Sequence, residues 1–180
     1  MSFLDLVNKR YSVRNYKNTP VPREKISRCI EAVRLAPSAC NSQPWKFVII
    51  DDGELVKKLA VVFTGLADFN KFVLKAPVLV LIVSQRQKLS AKLGGIIKKK
   101  NFSLMDVGIA AEHFCLQAAE EGLGTCILGW FNEKKVKKVV SIPRFKRVEL
   151  IISLGFSADE QIPHKNRKSI DQISSYNKYS

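Results

Sequence analysis

The chain predicts interleaved helices and strands, α/β or α+β, built around a single sheet. Three observations carry that expectation. Apolar residues at helical spacing alternate along the chain with short apolar or β-branched runs, the order expected of layers packed on a sheet. The run Pro77-Val-Leu-Val-Leu-Ile-Val83 is apolar on both faces and too short to cross a membrane, which suits a buried strand. Segment 106–121 carries Val107, Ala110, Ala111, Phe114, Cys115 and Ala118 in one wide apolar stripe, which predicts a central helix. With 180 residues, 46% of them hydrophobic, the chain can bury a sizeable core and falls outside the disordered class. No repeat or linker breaks it, so residues 1–180 read as one domain.

Each element has its own signal. Ser2-x-x-Asp5 forms a capping box before Phe3, Leu6 and Val7, and Lys9 and Arg10 suit the negative end of that helix dipole. A second helix is expected over 22–35, where Ile26, Cys29, Ile30 and Val33 share a face and Pro37 stops the helix at Ala36. Trp45–Ile50 reads as a strand, Asp51-Asp52-Gly53 as its turn and 54–60 as a short helix. Residues 61–76 show no dominant period. A strand is expected over 77–84, then a basic surface excursion over 85–101. Gly122 suits the end of the central helix. A strand over 125–128, a helix capped by Asn132 with Val136, Val139 and Val140 inward, and a strand over 147–154 follow. From Asp159 the chain is polar and basic, with no core of its own.

The formal net charge is +14, from 30 Lys and Arg against 16 Asp and Glu. That excess admits nucleic-acid contact, anionic small-molecule binding or solubility alone. The run Lys98-Lys99-Lys100 reads as a solvated face. Neither a recognition helix nor an aromatic platform accompanies the charge, so a specific nucleic-acid partner is not expected. Cys29, Cys115 and Cys126 lie in apolar patterns and read as small core residues, while Cys40 lies in a polar loop. The start Met-Ser-Phe-Leu-Asp lacks a signal-peptide pattern, so a cytoplasmic protein with no membrane partner is the expectation.

The chemistry concentrates in two segments. Arg10-Tyr11-Ser12-Val13-Arg14 sets two guanidiniums and a hydroxyl within five residues. Exposed like charges so close repel unless an anion joins them. Ala36-Pro37-Ser38-Ala39-Cys40-Asn41-Ser42-Gln43-Pro44-Trp45 is a pre-shaped polar loop between helix and strand. Lys165-Asn166-Arg167 is a third candidate for anion contact. Gly122-x-Gly124 follows a helix and precedes a strand, the reverse of a dinucleotide fingerprint, and reads as a helix stop. His113 and His164 lack metal-ligand spacing, so no metal site is expected. No Ser-His-Asp set or other catalytic side chain stands out, as expected where a bound cofactor carries the hard chemistry.

Together these segments resemble the nitroreductase family of FMN-dependent oxidoreductases. The likeness rests on Arg10-Tyr11-Ser12-Val13-Arg14 and on the loop Ala36 to Trp45. It extends to Ala76-Pro77, to Asp106 opening the central helix, to Gly122-Leu123-Gly124-Thr125-Cys126-Ile127-Leu128-Gly129, and to Lys165-x-Arg167. The resemblance implies an α+β, three-layer α/β/α-like fold, a mixed sheet flanked by helices, in an intertwined homodimer whose tail, residues 159–180, packs on the partner subunit. It implies a tightly bound FMN, with NAD(P)H as electron donor and a small acceptor such as a nitroaromatic or quinone in ping-pong turnover. Arg10, Ser12, Lys165 and Arg167 would hold the phosphate and ribityl chain, with Tyr11 alongside contributing through its backbone. Arg14 would approach the pyrimidine edge, where a cation stabilises the charge of the reduced ring. Pro37, Ser38, Ala39, Asn41 and Gln43 would reach the flavin from the partner subunit, and Leu128 and Gly129 would set backbone groups near N5. Other flavin chemistry on the same fold (dehalogenation, flavin fragmentation, azoline oxidation) is the alternative within this resemblance. A basic nucleic-acid-binding domain is the alternative outside it.

Overall fold

A computed structural model describes residues 1–63, 68–86, 95 and 99–179 of the chain. Four strands form one sheet in the order β1-β2-β4-β3: β1 (Trp45–Ile50), β2 (Val78–Ser84), β3 (Gly124–Leu128) and β4 (Val148–Gly155). All three pairings are antiparallel. The parallel contact is the isolated bridge of Ser12 with Thr125, beside β3. The α+β class and the layering therefore hold, and the sheet's mixed character within one chain comes from that bridge alone among the described residues.

β2 is the middle of the molecule because both its faces are apolar. Val78, Val80 and Ile82 pack against α2 (Arg23–Arg34) and α4 (Phe102–Glu120). Leu79, Leu81 and Val83 pack on the other side with Val56 and Leu59 of α3 (Gly53–Ala60) and Val136 of α5 (Glu133–Val139). Period-two alternation thus builds two cores from one strand. Each fully buried Leu or Ile there contributes about 1.5–3 kcal/mol. Cys29 and Cys115 lie in the first core, and burial pushes both thiols up to about 12, so they stay protonated and inert.

The expected elements appear with small shifts. The capping box opens α1 (Phe3–Lys9): Ser2 Oγ accepts from the Asp5 N–H and Asp5 from the Ser2 N–H. Asp52 belongs to a helix cap rather than to a free turn. Its carboxylate accepts from the Leu55 N–H, and Gly53 is already helical. The stretch without a clear period contains short 3-10 turns, Val61–Phe63 and Asp68–Lys75. Asp106 does not open the central helix. Asn101 does, accepting from the Leu104 N–H, so Asp106 lies in the second turn and is buried. A local cap outranked the apolar stripe in fixing that boundary. Most of the basic excursion over 85–101 lies outside the described residues. The tail carries one four-residue helix, α6 (Ile170–Ile173), and among 159–179 only Lys165 is even half-buried.

Two glycines set the geometry near the candidate site. Gly122 adopts a φ of +75° after α4, with the Leu123 N–H donating to Ala118 O and the Gly122 N–H to Ala119 O, a Schellman stop. Gly124 is where the chain before α2 presses on β3. A Cβ there would meet Val13 Cγ2 at 2.5 Å.

Candidate functional site

Residues 10–14 run extended beside β3. The Val13 N–H donates to Thr125 O at 2.9 Å, and Val13 itself is buried. The Tyr16 hydroxyl then donates to Val13 O at 2.9 Å and shares a 2.7 Å hydrogen bond with Ser153 Oγ, which clamps the strip from beneath. In an extended segment, alternate residues share a face. With Val13 pointing in, Ser12 and Arg14 are exposed. The Tyr11 hydroxyl is occupied elsewhere: it hydrogen-bonds Ser157 Oγ at 2.8 Å and donates to Asp159 at 3.1 Å. Its side chain is therefore committed to the protein, which leaves its backbone for any ligand.

Arg10 lies just beyond α1 and meets the tail. Its Nε stands 3.3 Å from Glu112 Oε1 of α4. The distance makes an ion pair, but the N–H is not aimed at the carboxylate. Arg10 Nε is buried and has no hydrogen-bond partner among the described residues. Lys165 approaches the same place and donates to Val7 O at 2.6 Å. Its pKa is lowered, first by burial and then by the charges of Arg10 and Arg167, with Glu112 opposing. Arg167 donates to Asn166 O. Arg10 and Lys165, from opposite ends of the chain, thus meet beside Glu112, with Arg167 two residues on from Lys165, and the group holds more positive than negative charge. An anion is what such a set lacks.

The 37–43 loop is a second group. It contains three non-glycine residues in the left-handed region: Cys40 at φ 53°, Asn41 at 50° and Gln43 at 47°. Ser38 Oγ accepts from the Gln43 N–H, and Asn41 Oδ1 accepts from Gln43 Nε2. The Ala39 N–H donates to Asp106 Oδ1 at 3.0 Å. No hydrogen bond or ion pair among the described residues joins this loop to Arg10, Lys165 or Arg167. Within one chain the two halves of the sequence-predicted site are not brought into contact.

A third group forms where β3 ends. The Arg14 guanidinium lies over the Phe72 ring, 5.8 Å from its centroid. Two residues earlier in that 3-10 turn, Asn70 Nδ2 donates to Trp130 O at 3.0 Å. Leu128 is buried, Gly129 and Trp130 are exposed, and a Cβ built on Gly129 would meet nothing within 4 Å. The backbone there is open to close approach by a ligand.

Sequence reasoning missed Glu112 and Trp130, and it gave Asp106 only a place at a helix start. Glu112 had one available signal: a carboxylate on the central helix of a chain with far more cations than acids. Asn70 sits in a stretch without periodicity, and nothing in the sequence pairs it with Trp130. A cavity of about 200 Å³ opens beside Arg10 and Tyr11, lined also by Leu123, Thr125 and Ser157. It is smaller than the roughly 300–1,000 Å³ of ligand pockets, so a cofactor gripped by Arg10 would extend beyond it. A larger basic hollow of about 740 Å³ lies at Lys134, Lys137, Lys138 and Arg144. It contains none of the sequence candidates, and Lys137 is already engaged with Glu133 and with the carbonyls of Arg144 and Lys146.

A model of the nitroreductase family matches residues 7–156. A protein of Archaeoglobus fulgidus, provisionally named an NADH dehydrogenase/NAD(P)H nitroreductase, is 29% identical over 162 residues, 88% of this chain and 87% of its own. Mouse iodotyrosine deiodinase 1 is 26% identical over 195 residues, 95% of this chain and 68% of its own. Among solved structures, an FMN-dependent nitroreductase of Clostridium difficile aligns with a TM-score of 0.79 and 26% identity, covering 98% of this chain and 100% of its own.

Proposed function

Because the chain belongs to the nitroreductase family, we propose that it is an FMN-dependent oxidoreductase that uses NAD(P)H to reduce a small acceptor such as a nitroaromatic or quinone. One observation carries the cofactor reading: the buried Arg10 Nε, ion-paired with Glu112 but without a hydrogen bond among the described residues, beside the cation of Lys165. A phosphate dianion supplies what that cluster lacks, and the donor set fits it. Arg10, Lys165 and Arg167, with Ser12, would hold the phosphate and ribityl chain. Arg14 would supply positive charge at the pyrimidine edge. The open backbone at Leu128 and Gly129 would lie against the reacting side of the ring. Bound there, FMN would supply the redox chemistry, accepting hydride from NAD(P)H and passing it to the acceptor. No side chain need act as acid or base, since solvent supplies protons.

The reading includes a homodimer in which the 37–43 loop, with Pro37, Ser38, Ala39, Asn41 and Gln43, serves the partner's cofactor. Its support is apolar surface with no cover in one chain: Phe3 and Leu4 on α1, Met105 and Ile109 on α4, and Ile170 and Ile173 in the tail are exposed. We place the protein in the cytoplasm, since its four cysteines are all free, one of them exposed, which suits a reducing compartment.

The visible spectrum of the purified protein, before and after FMN and then NAD(P)H without oxygen, tests this directly. A bound-flavin spectrum that bleaches with NAD(P)H is the expected result. A colourless protein that does not retain added FMN overturns the reading. A second reading, reductive dehalogenation, is favoured by the deiodinase relative. Halide release from an iodinated phenol by the reduced enzyme would move it to first place.

A further inference from the structure

We propose that Asp106 is the positioning residue of the 37–43 loop, holding it in its ligand-ready shape at the expense of the free protein's own stability. Asp106 is 4% exposed and sits among the apolar residues of α4 that build the first core. A carboxylate is costly to bury without partners. Here one oxygen accepts from the Ala39 N–H, while Oδ2 is buried with no hydrogen-bond partner among the described residues. Asp106's neighbours Val107 and Ala110 pack in the first core, and Ala39 is only half-buried, so its amide could be solvated instead.

What the acid does hold is strain. Ala39 is followed by Cys40 at φ 53° and ψ 27°, then by Asn41 and Gln43, also left-handed. Asn accepts that region readily, whereas Cys and Gln do so only when surroundings impose it. The loop's internal bonds fold it on itself, and the Asp106 bond ties its start to the central helix. Strained backbone and an under-satisfied buried polar group, side by side, are the marks of geometry kept for a ligand. That this ligand is the flavin rests on the functional reading above; that Asp106 holds the loop does not.

The role separates from ordinary structural support by the sign of one effect. Asp106→Ala removes the unpaired buried oxygen, introduces a better helix former and lets the Ala39 amide turn to water. The flavin-free protein should keep its Tm or gain a few degrees. The loop should relax: exchange of the Ala39 amide should speed up by at least about tenfold, and the FMN dissociation constant should rise by at least about tenfold. Asp106→Asn keeps an oxygen for the Ala39 N–H, so it should stay within about threefold of wild type in both measures. Thermal melts, amide exchange and FMN titration on the three proteins decide it. If Asp106→Ala lowers Tm together with affinity, Asp106 is ordinary structural support and the proposal falls. It falls equally if Ala39 exchange is unchanged, or if FMN affinity is unchanged in a protein that binds FMN. If wild type binds no FMN, the functional reading fails by itself, and the melts and amide exchange still decide the positioning role.

Discussion

At the C-terminal end of α4, Glu121 accepts from Arg28 Nε and Nη2 at 2.5 and 2.7 Å, from Lys25 at 3.3 Å and from Gln117 at 3.3 Å. Lys25 also donates to the Glu121 carbonyl at 2.6 Å, and Gly122 closes the last turn. Two turns and more toward the other end, the same helix presents Glu112 to an Arg10 whose Nε makes an ion pair but no hydrogen bond, and Asp106 with one oxygen lacking a hydrogen bond, among the described residues. Both regions mix acids with cations against one helix. The first is complete within the chain and fastens α2 to α4. The second has donors and acceptors left over. Buried polar groups are normally satisfied, so the leftover ones mark where something else is meant to bind.

The largest expected effect breaks the open region. Arg10→Ala should weaken FMN binding by about 30- to 100-fold, the roughly 2–3 kcal/mol of charge-assisted hydrogen bonds. The flavin-free protein should lose little, because the half-exposed pair with Glu112 is worth about 0–1 kcal/mol. Titration with FMN beside melting of the apoprotein checks both halves. A stability loss with unchanged affinity would make Arg10 a structural residue like Arg28.

Two glycines five residues apart sharpen the contrast. Gly124→Ala pushes a Cβ to 2.5 Å from Val13 Cγ2, under the strip that carries Arg10 and Ser12. Overpacking of that kind costs about 1–3 kcal/mol, visible as a lower denaturation midpoint. The Cβ of Gly129→Ala meets no neighbour within 4 Å, so stability should move by less than about 0.5 kcal/mol. The variant should lower flavin occupancy or turnover by about tenfold, because the new side chain fills space a ligand needs. Equal stability losses in the two variants would show that the β3 end is packed rather than open.

The core was legible because packing obeys period. Val78 to Val83, the α4 stripe and the Schellman glycine follow from spacing and from the conformational freedom of Gly122. The motif residues Arg10, Ser12 and Arg14 were legible as a group, but their separate destinations were not. Arg10 goes to Glu112 and the tail, while Arg14 goes to Phe72. Such pairings join residues 58 to more than 150 positions apart through tertiary packing, and no local pattern encodes them. Asp106 was misread for a related reason. The family likeness placed it at the helix start, and only the fold reveals that Asn101 caps the helix there.

The smallest expected effect tests the closed region. Glu121 is the cap residue of α4, where a negative charge opposes the helix dipole. Arg28 first, and then Lys25, hold its carboxyl down at about 2, against an ordinary value of 4.5. A carboxyl whose pKa is lower in the folded state stabilises the fold above its unfolded pKa. That contribution is therefore complete above about pH 4.5 and disappears as pH falls to about 2. Glu121→Gln should cost about 1 kcal/mol at neutral pH, the upper range for a partly exposed network. Its Tm deficit relative to wild type should shrink across that acid window and vanish near the bottom of it. FMN affinity should not change, since among the described residues the hydrogen bonds and ion pairs of Glu121 reach only α2 and its own helix. A deficit that persists unchanged to pH 2 would mean that the glutamate contributes packing rather than charge. A loss of flavin with it would mean that the two ends of α4 are coupled, and the contrast between a finished and an unfinished region would no longer describe the molecule.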